Sequence, residues 1–221
     1  MAGRDSCPDP ERKQMKKENQ KPRPEGDARE RLLKAALELF TQSGYAATSV
    51  REIVEKAGVT KPVLYYYFKN KEGIYSEIVK TRFTDLDELF DYYLNYPGKV
   101  RERLLNLFDR ILEFVVENRE FVKLMHAIYY GPPQGSPYFD FEAYRKSLHA
   151  FISSMVEEGV RTGEFREQSA FDTAQIILAV AHASVDDQII EQEAMMNRDD
   201  SRRIMGVVLD EIAMKKKRAG K

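Results

Sequence analysis

Cysteine, histidine and long apolar runs are all scarce in this chain of 221 residues. The one cysteine, Cys7, lies among prolines and charges, which excludes a disulfide framework and offers no activated thiol; a reducing cytosol suits such a chain. The three histidines, His126, His149 and His182, are scattered with no H-x-x-x-H spacing and no cysteine partner, so no metal site is expected. No apolar segment near the start resembles a secretion signal, and residues 173–185, like every other uncharged run in the body, are too short to span a bilayer. A cytoplasmic protein with no membrane partner is the expectation. There is no phosphate-cradling glycine loop. Ser184 lies between His182 and Asp186, but a helix turns it about 200° from both, so the three form no triad. Neither catalysis nor a cofactor is expected.

The rest of the composition is that of a helix-rich globular protein, 43% apolar and 32% charged. The net charge of −1 hides an uneven distribution. Residues 28–75 carry eight Lys or Arg against five Asp or Glu, whereas residues 76–221 carry 20 against 25. A basic block ahead of an acidic body fits a chain whose one end meets a polyanion.

Residues 1–27 hold almost no large apolar side chains and read as a flexible tail. Its Lys16, Lys17, Lys21 and Arg23 can trail along a phosphate backbone. The pattern then changes. Asp27 and Glu30 form a capping-box spacing, and Leu32, Ala36, Leu39 and Phe40 trace one face of a helix that Gly44 ends. Thr48 or Ser49, with Glu52, starts a second short helix whose stripe of Val50, Ile53, Val54 and Ala57 stops at Gly58. Thr60 caps a third, with Pro62 in its first turn, and Asn70 caps a longer fourth. Helix continues through the body, broken at residues 96–98, 131–137, 159–163 and 197–200. With no sustained period-two alternation, the class is all-α with about nine helices.

The third helix carries Tyr65, Tyr66, Tyr67 and Phe68 in succession, which cannot all face one core. At about 100° per residue, Phe68 shares the side of Leu64, while Tyr66 and Pro62 fall about 200° and 160° away. Tyr65 and Val63 sit on the shoulders and Tyr67 near the core edge. Two short helices joined through Gly58 have the dimensions of a helix-turn-helix whose second helix reads the major groove. Pro62 and Val63 can then pack on thymine methyls, Lys61 can reach guanine O6 and N7, and the shoulder phenols can donate to phosphates.

These residues carry a specific resemblance. The stretch TSVREIVEKAGVTKPVLYYYFKNKEGIYSEIV, residues 48–79, resembles the DNA-binding signature of the tetracycline-repressor (TetR) family of transcriptional regulators. The resemblance runs closely over residues 28–79; beyond that it rests on length and helical character. It implies a three-helix head, residues 28–75, on a helical effector-binding and dimerisation domain, residues 76–221. It implies phosphate contacts by Thr48, Tyr65, Tyr67 and Lys71. Arg51, Thr60, Lys61, Pro62, Val63 and Tyr66 would face or flank base edges. Two features depart from the family: the tail is longer than many members carry, and Gly73 replaces a better helix former early in the fourth helix, predicting a softer joint there.

The partners implied are double-stranded DNA with a palindromic operator, a second copy of the chain, and a small hydrophobic or aromatic effector held among helices four to eight. Candidate effector contacts are Phe90, Phe108, His126, Tyr129, Tyr144, Phe151, His182 and Asp186; His149 is a further polar group in an apolar setting. His182 and Asp186, four residues apart, can equally form a pair at a dimer interface. Small residues and the apolar ridge of Ile177, Val180, Ile204, Val208 and Ile212 place dimerisation on the last two helices. The terminal KKKRAGK reads as a solvated end. A repressor released by its effector is the leading reading. An activator on the same scaffold and a helical ligand-binding module silent toward DNA stay open as alternatives.

Overall fold

The computed structural model describes residues 24–132, 135–189 and 195–214. Among these the fold is all-α, with nine helices and no strand beyond an isolated bridge between Phe165 and Ala213. The helices are α1 (Pro24–Ser43), α2 (Val50–Ala57), α3 (Lys61–Phe68), α4 (Lys71–Asn95), α5 (Val100–Glu117), α6 (Arg119–Tyr130), α7 (Phe141–Arg161), α8 (Ala170–Ile189) and α9 (Arg198–Ile212). No helix among the described residues is long and apolar enough to cross a membrane. The tail through Arg23 and the terminal KKKRAGK lie outside the described residues.

Local signals set most boundaries. Ser49 and Glu52 form a complete capping box on α2, Gly58 ends that helix in the left-handed conformation, and Asn70 caps α4 through the Gly73 N–H. Three expectations need correction. The first helix begins at Pro24, not at Asp27, because a cap-like spacing does not stop a helix whose preceding residues also adopt helical angles. Gly159 does not mark a turn: it lies inside α7, where a β-carbon would overlap the ring of buried Phe165. The break between α5 and α6 at Asn118 has no Gly or Pro to announce it; its side chain donates to the Phe114 carbonyl at 2.9 Å.

Two apolar clusters fill the interior. One joins Leu32, Ala36 and Phe40 of α1 to α2, α3 and the start of α4, and takes in Phe121, Leu124 and Met125 of α6. The N-terminal three-helix head therefore shares its core with a helix of the body. The other cluster runs through α5, α7, α8 and α9 and includes the end of α4. Along one flank α5 and α9 run antiparallel, tied by Arg101–Asp210 at 2.5 Å and by the pairs Asp109–Arg202 and Glu113–Arg198.

A buried arginine anchors the far end of α4. Arg103 of α5 donates to the carbonyls of Tyr93 at 3.0 Å and Leu94 at 2.7 Å, and pairs with Glu158 of α7 at 2.6 Å. It thereby satisfies carbonyls that the end of α4 leaves without an intrahelical partner. Replacing it orphans those carbonyls and a partly covered carboxylate. Arg103→Leu is expected to lower unfolding free energy by about 2–4 kcal/mol, measured by urea denaturation.

Candidate nucleic-acid interface

The orientation of α3 follows from two side chains. Leu64 is fully buried and Phe68 nearly so, both against α1, α2 and α4, each contributing about 1.5–3 kcal/mol by leaving water. Arg29 of α1 covers the Phe68 ring at 5.7 Å and pairs with Glu77 of α4, closing that side. The opposite face is open: Tyr66 is 78% exposed, and Lys61, Pro62 and Tyr65 are exposed beside it. Val63 and Tyr67 are half-buried at the edge of the core, with Tyr67 edge-on to Tyr66 at 4.9 Å. Thr60 occupies the N-cap of α3, but its side chain makes no capping bond, contrary to the expectation that it caps; the backbone turn does so alone. Arg51 lies exposed on α2, paired with Glu55 at 2.7 Å.

The joints around α3 are tight. Arg31 of α1 donates to the Ala57 carbonyl at 3.1 Å and so caps α2 from outside. Its role was not readable from the sequence, since 26 positions separate donor and acceptor and no local spacing links them. After α3, Lys69 takes a left-handed backbone, φ 63°, and Asn70 opens α4. Gly73 is not a soft spot. A β-carbon there would overlap the Phe68 carbonyl oxygen, so glycine is what allows α3 to end directly against α4.

Two expected phosphate contacts are turned inward. Thr48 is buried, its hydroxyl donating to the carbonyls of Gly44 at 2.9 Å and Leu39 at 3.3 Å. Lys71 directs its ammonium to the carbonyls of Tyr45 at 2.7 Å and Thr48 at 2.8 Å. In both cases nearby carbonyls capture the donor, which spacing along the chain did not reveal.

The candidate effector residues fall into separate groups. Phe90 and Phe108 are buried in the body core, with half-buried Phe151 against Phe90 at 5.2 Å. Tyr144 packs edge-on to Phe83 at 4.6 Å, and Phe83 stacks on Phe139 at 4.3 Å. Burial raises the Tyr144 phenol pKa, Asp87 adding to the effect; its buried hydroxyl has no hydrogen-bond partner among the described residues. Elsewhere, His126 of α6 and His182 of α8 flank Asp186 at 3.5 and 3.8 Å, and the Tyr130 hydroxyl lies 2.6 Å from His182 Nε2. Tyr129 is exposed, edge-on to Tyr130. His149 is held internally by the Phe171 carbonyl at 3.1 Å and the Ser153 hydroxyl.

Of the dimerisation ridge, Ile177 and Ile212 belong to the core of their own chain, which corrects that expectation. Val180, Ile204 and Val208 are half-buried. The residues that face outward are their neighbours: Ile176, Ala179 and Ala183 on α8 and Val207 on α9. Adjacent Ile176 and Ile177, like Val207 and Val208, differ only by about 100° around the axis.

Comparison with known proteins agrees with this geometry. The profile described as bacterial regulatory proteins, tetR family, matches residues 32–78. The chain is 33% identical over 105 residues to the HTH-type transcriptional regulator AcrR of Shigella flexneri, covering 47% of this chain and 49% of that one. It is 32% identical over 142 residues to the HTH-type transcriptional repressor KstR2 of Mycolicibacterium smegmatis, covering 62% and 67% respectively. The SmeT–triclosan complex shares the fold with a TM-score of 0.68 at 19% identity, over 85% of this chain and 92% of that chain.

Because Tyr66 contributes almost nothing to the core, stability and binding should separate. Tyr66→Ala is expected to leave unfolding free energy within about 0.5 kcal/mol of the parent. It should also weaken binding to duplex DNA, with calorimetry and fluorescence anisotropy as the two measurements.

Proposed function

Since this chain belongs to the tetR family of bacterial regulatory proteins, helix-turn-helix regulators of transcription, we propose that it is a homodimeric repressor released by a small hydrophobic or aromatic effector. The single observation behind the reading is the division of α3, with Leu64 and Phe68 inside and Lys61, Pro62 and Tyr66 outside. An exposed proline and tyrosine flanked by a lysine at the start of a short helix suit a major groove: apolar atoms for thymine methyls, a cation for guanine. Lys61, Pro62, Val63 and Tyr66 are the proposed base-edge contacts, with Arg51 and Thr60 flanking. Tyr65 and Tyr67 are the proposed phosphate donors.

A single head binds one half-site, and specificity for a palindrome requires two heads about 34–36 Å apart. The outward apolar positions of α8 and α9, Ile176, Ala179, Ala183 and Val207, supply a self-complementary face, with small residues allowing close helix approach. The ion pairs between α5 and α9 hold α9 against its own chain and leave that face outward. The rings of Phe83, Phe139 and Tyr144, with the buried Tyr144 hydroxyl, are the proposed effector seat. An effector there acts on α4, which leads directly into the reading head, and it releases DNA only if it prefers the state with the heads displaced.

Val207→Arg is expected to convert a dimer into a monomer in sedimentation equilibrium and to abolish tight binding to palindromic DNA while leaving helical content unchanged. The effector is tested by thermal shift against lipophilic compounds, followed by mobility shift on the DNA upstream of the coding sequence. Compounds that raise the melting temperature should release the DNA; stabilisers that leave the complex intact would argue against derepression.

A further inference from the structure

The turn joining α1 to α2, residues 44–49, is fastened from two sides. Lys71, the first residue of α4, brings its ammonium to the carbonyls of Tyr45 and Thr48 at 2.7 and 2.8 Å and to that of Ala46 at 3.5 Å. The same nitrogen lies 4.2 Å from the centre of the Tyr45 ring. That ring is itself buried, 5.3 Å from Phe40 and 5.2 Å from Tyr75. The Thr48 hydroxyl closes the turn from the α1 side through Gly44 and Leu39. An ammonium has three N–H donors, and the turn engages them.

Burial among these groups lowers the Lys71 pKa, with Glu52 opposing the shift. In a planar trans peptide the carbonyl and the following N–H point in opposite directions. Drawing the Tyr45 and Ala46 carbonyls toward Nζ therefore turns the N–H groups of Ala46 and Ala47 away from it, and both of these residues are exposed. Backbone N–H groups and side-chain hydroxyls at such positions set the register of a protein on a phosphate backbone.

We propose that Lys71 is a positioning residue for DNA binding: its ammonium holds the α1–α2 turn against the start of α4 and fixes α2 and α3 for the duplex, without itself pairing with a phosphate. The proposal rests on the DNA-binding reading of α3. It differs from a direct ionic contact in a measurable way, because only a lysine that neutralises a phosphate displaces a condensed counterion.

The test uses the full chain and a random-sequence duplex of about 30 base pairs, titrated by fluorescence anisotropy from about 50 to 200 mM salt. Each variant is measured well below its own melting transition. Lys71→Met is expected to bind about tenfold more weakly, with an unchanged slope of log K against log salt and faster amide exchange over residues 45–49. Thr48→Val, which loosens the same turn without removing a charge, should show the same pattern. A slope reduced by about one unit in Lys71→Met would establish direct pairing and overturn the proposal. So would undiminished affinity alongside a lowered melting temperature, since the clamp would then serve stability alone. Failure of the unaltered protein to bind the duplex at low salt would overturn the DNA-binding reading and this inference together.

Discussion

Everything the reading head can do depends on the burial of Leu64 and Phe68. An isolated helix of eight residues is not stable in water, so α3 exists, and faces one way, because these two side chains complete the apolar cluster with α1 and α2. Once they are inside, helical geometry leaves no freedom for the others: Pro62 and Tyr66 must face outward. Tyr66 is accordingly among the most exposed large apolar residues of the described chain. A tetR-family head thus converts hydrophobic burial on one side into a chemically specific surface on the other.

The helix that follows ties this arrangement to the body. At its start, Lys71 binds the α1–α2 turn, and Gly73 allows the end of α3 to rest against the first turn of α4. At its far end, Arg103 gathers the last carbonyls of α4 and links them to Glu158. Between these ends α4 carries Phe83 and Phe90 into ring contacts with Phe139, Tyr144 and Phe151. Helix α6 enters the head core through Phe121, Leu124 and Met125, and Thr41 of α1 bonds the Glu120 carbonyl at 3.1 Å. Head and body are therefore mechanically continuous. Close-packed interiors shift between discrete arrangements more readily than they deform gradually, and under the proposed function a displacement of α4 would reach both the turn and α3.

Charge placement separates the roles further. The carboxylates and guanidinium groups of α5 and α9 pair along an antiparallel seam, Asp109 with Arg202 and Glu113 with Arg198. Pairs of this kind contribute little net stability where solvent reaches them, but they define which face of α9 belongs to its own chain. The remaining face is apolar at Val207 and small at Gly206.

Much of this was legible in the chain itself. Helical class, the caps at Ser49 and Asn70, the stop at Gly58 and the inward pair on α3 are all local: each depends on side chains within about one or two helical turns of one another, where backbone geometry fixes who can meet. What the sequence left open were matters of long-range contact. Ile177 against Ile176 could not be assigned a side by periodicity, because both are isoleucine and the deciding partners come from other helices. The inward course of Thr48 and Lys71, the crowding at Gly73 and Gly159, and the capping of α2 by Arg31 likewise arise between residues far apart in sequence or around a tight joint. Sequence alone determined the helical class and which face of α3 would carry the tyrosines; tertiary structure decided which polar groups remained free to meet DNA, because a donor's availability depends on the carbonyls that packing brings within its reach.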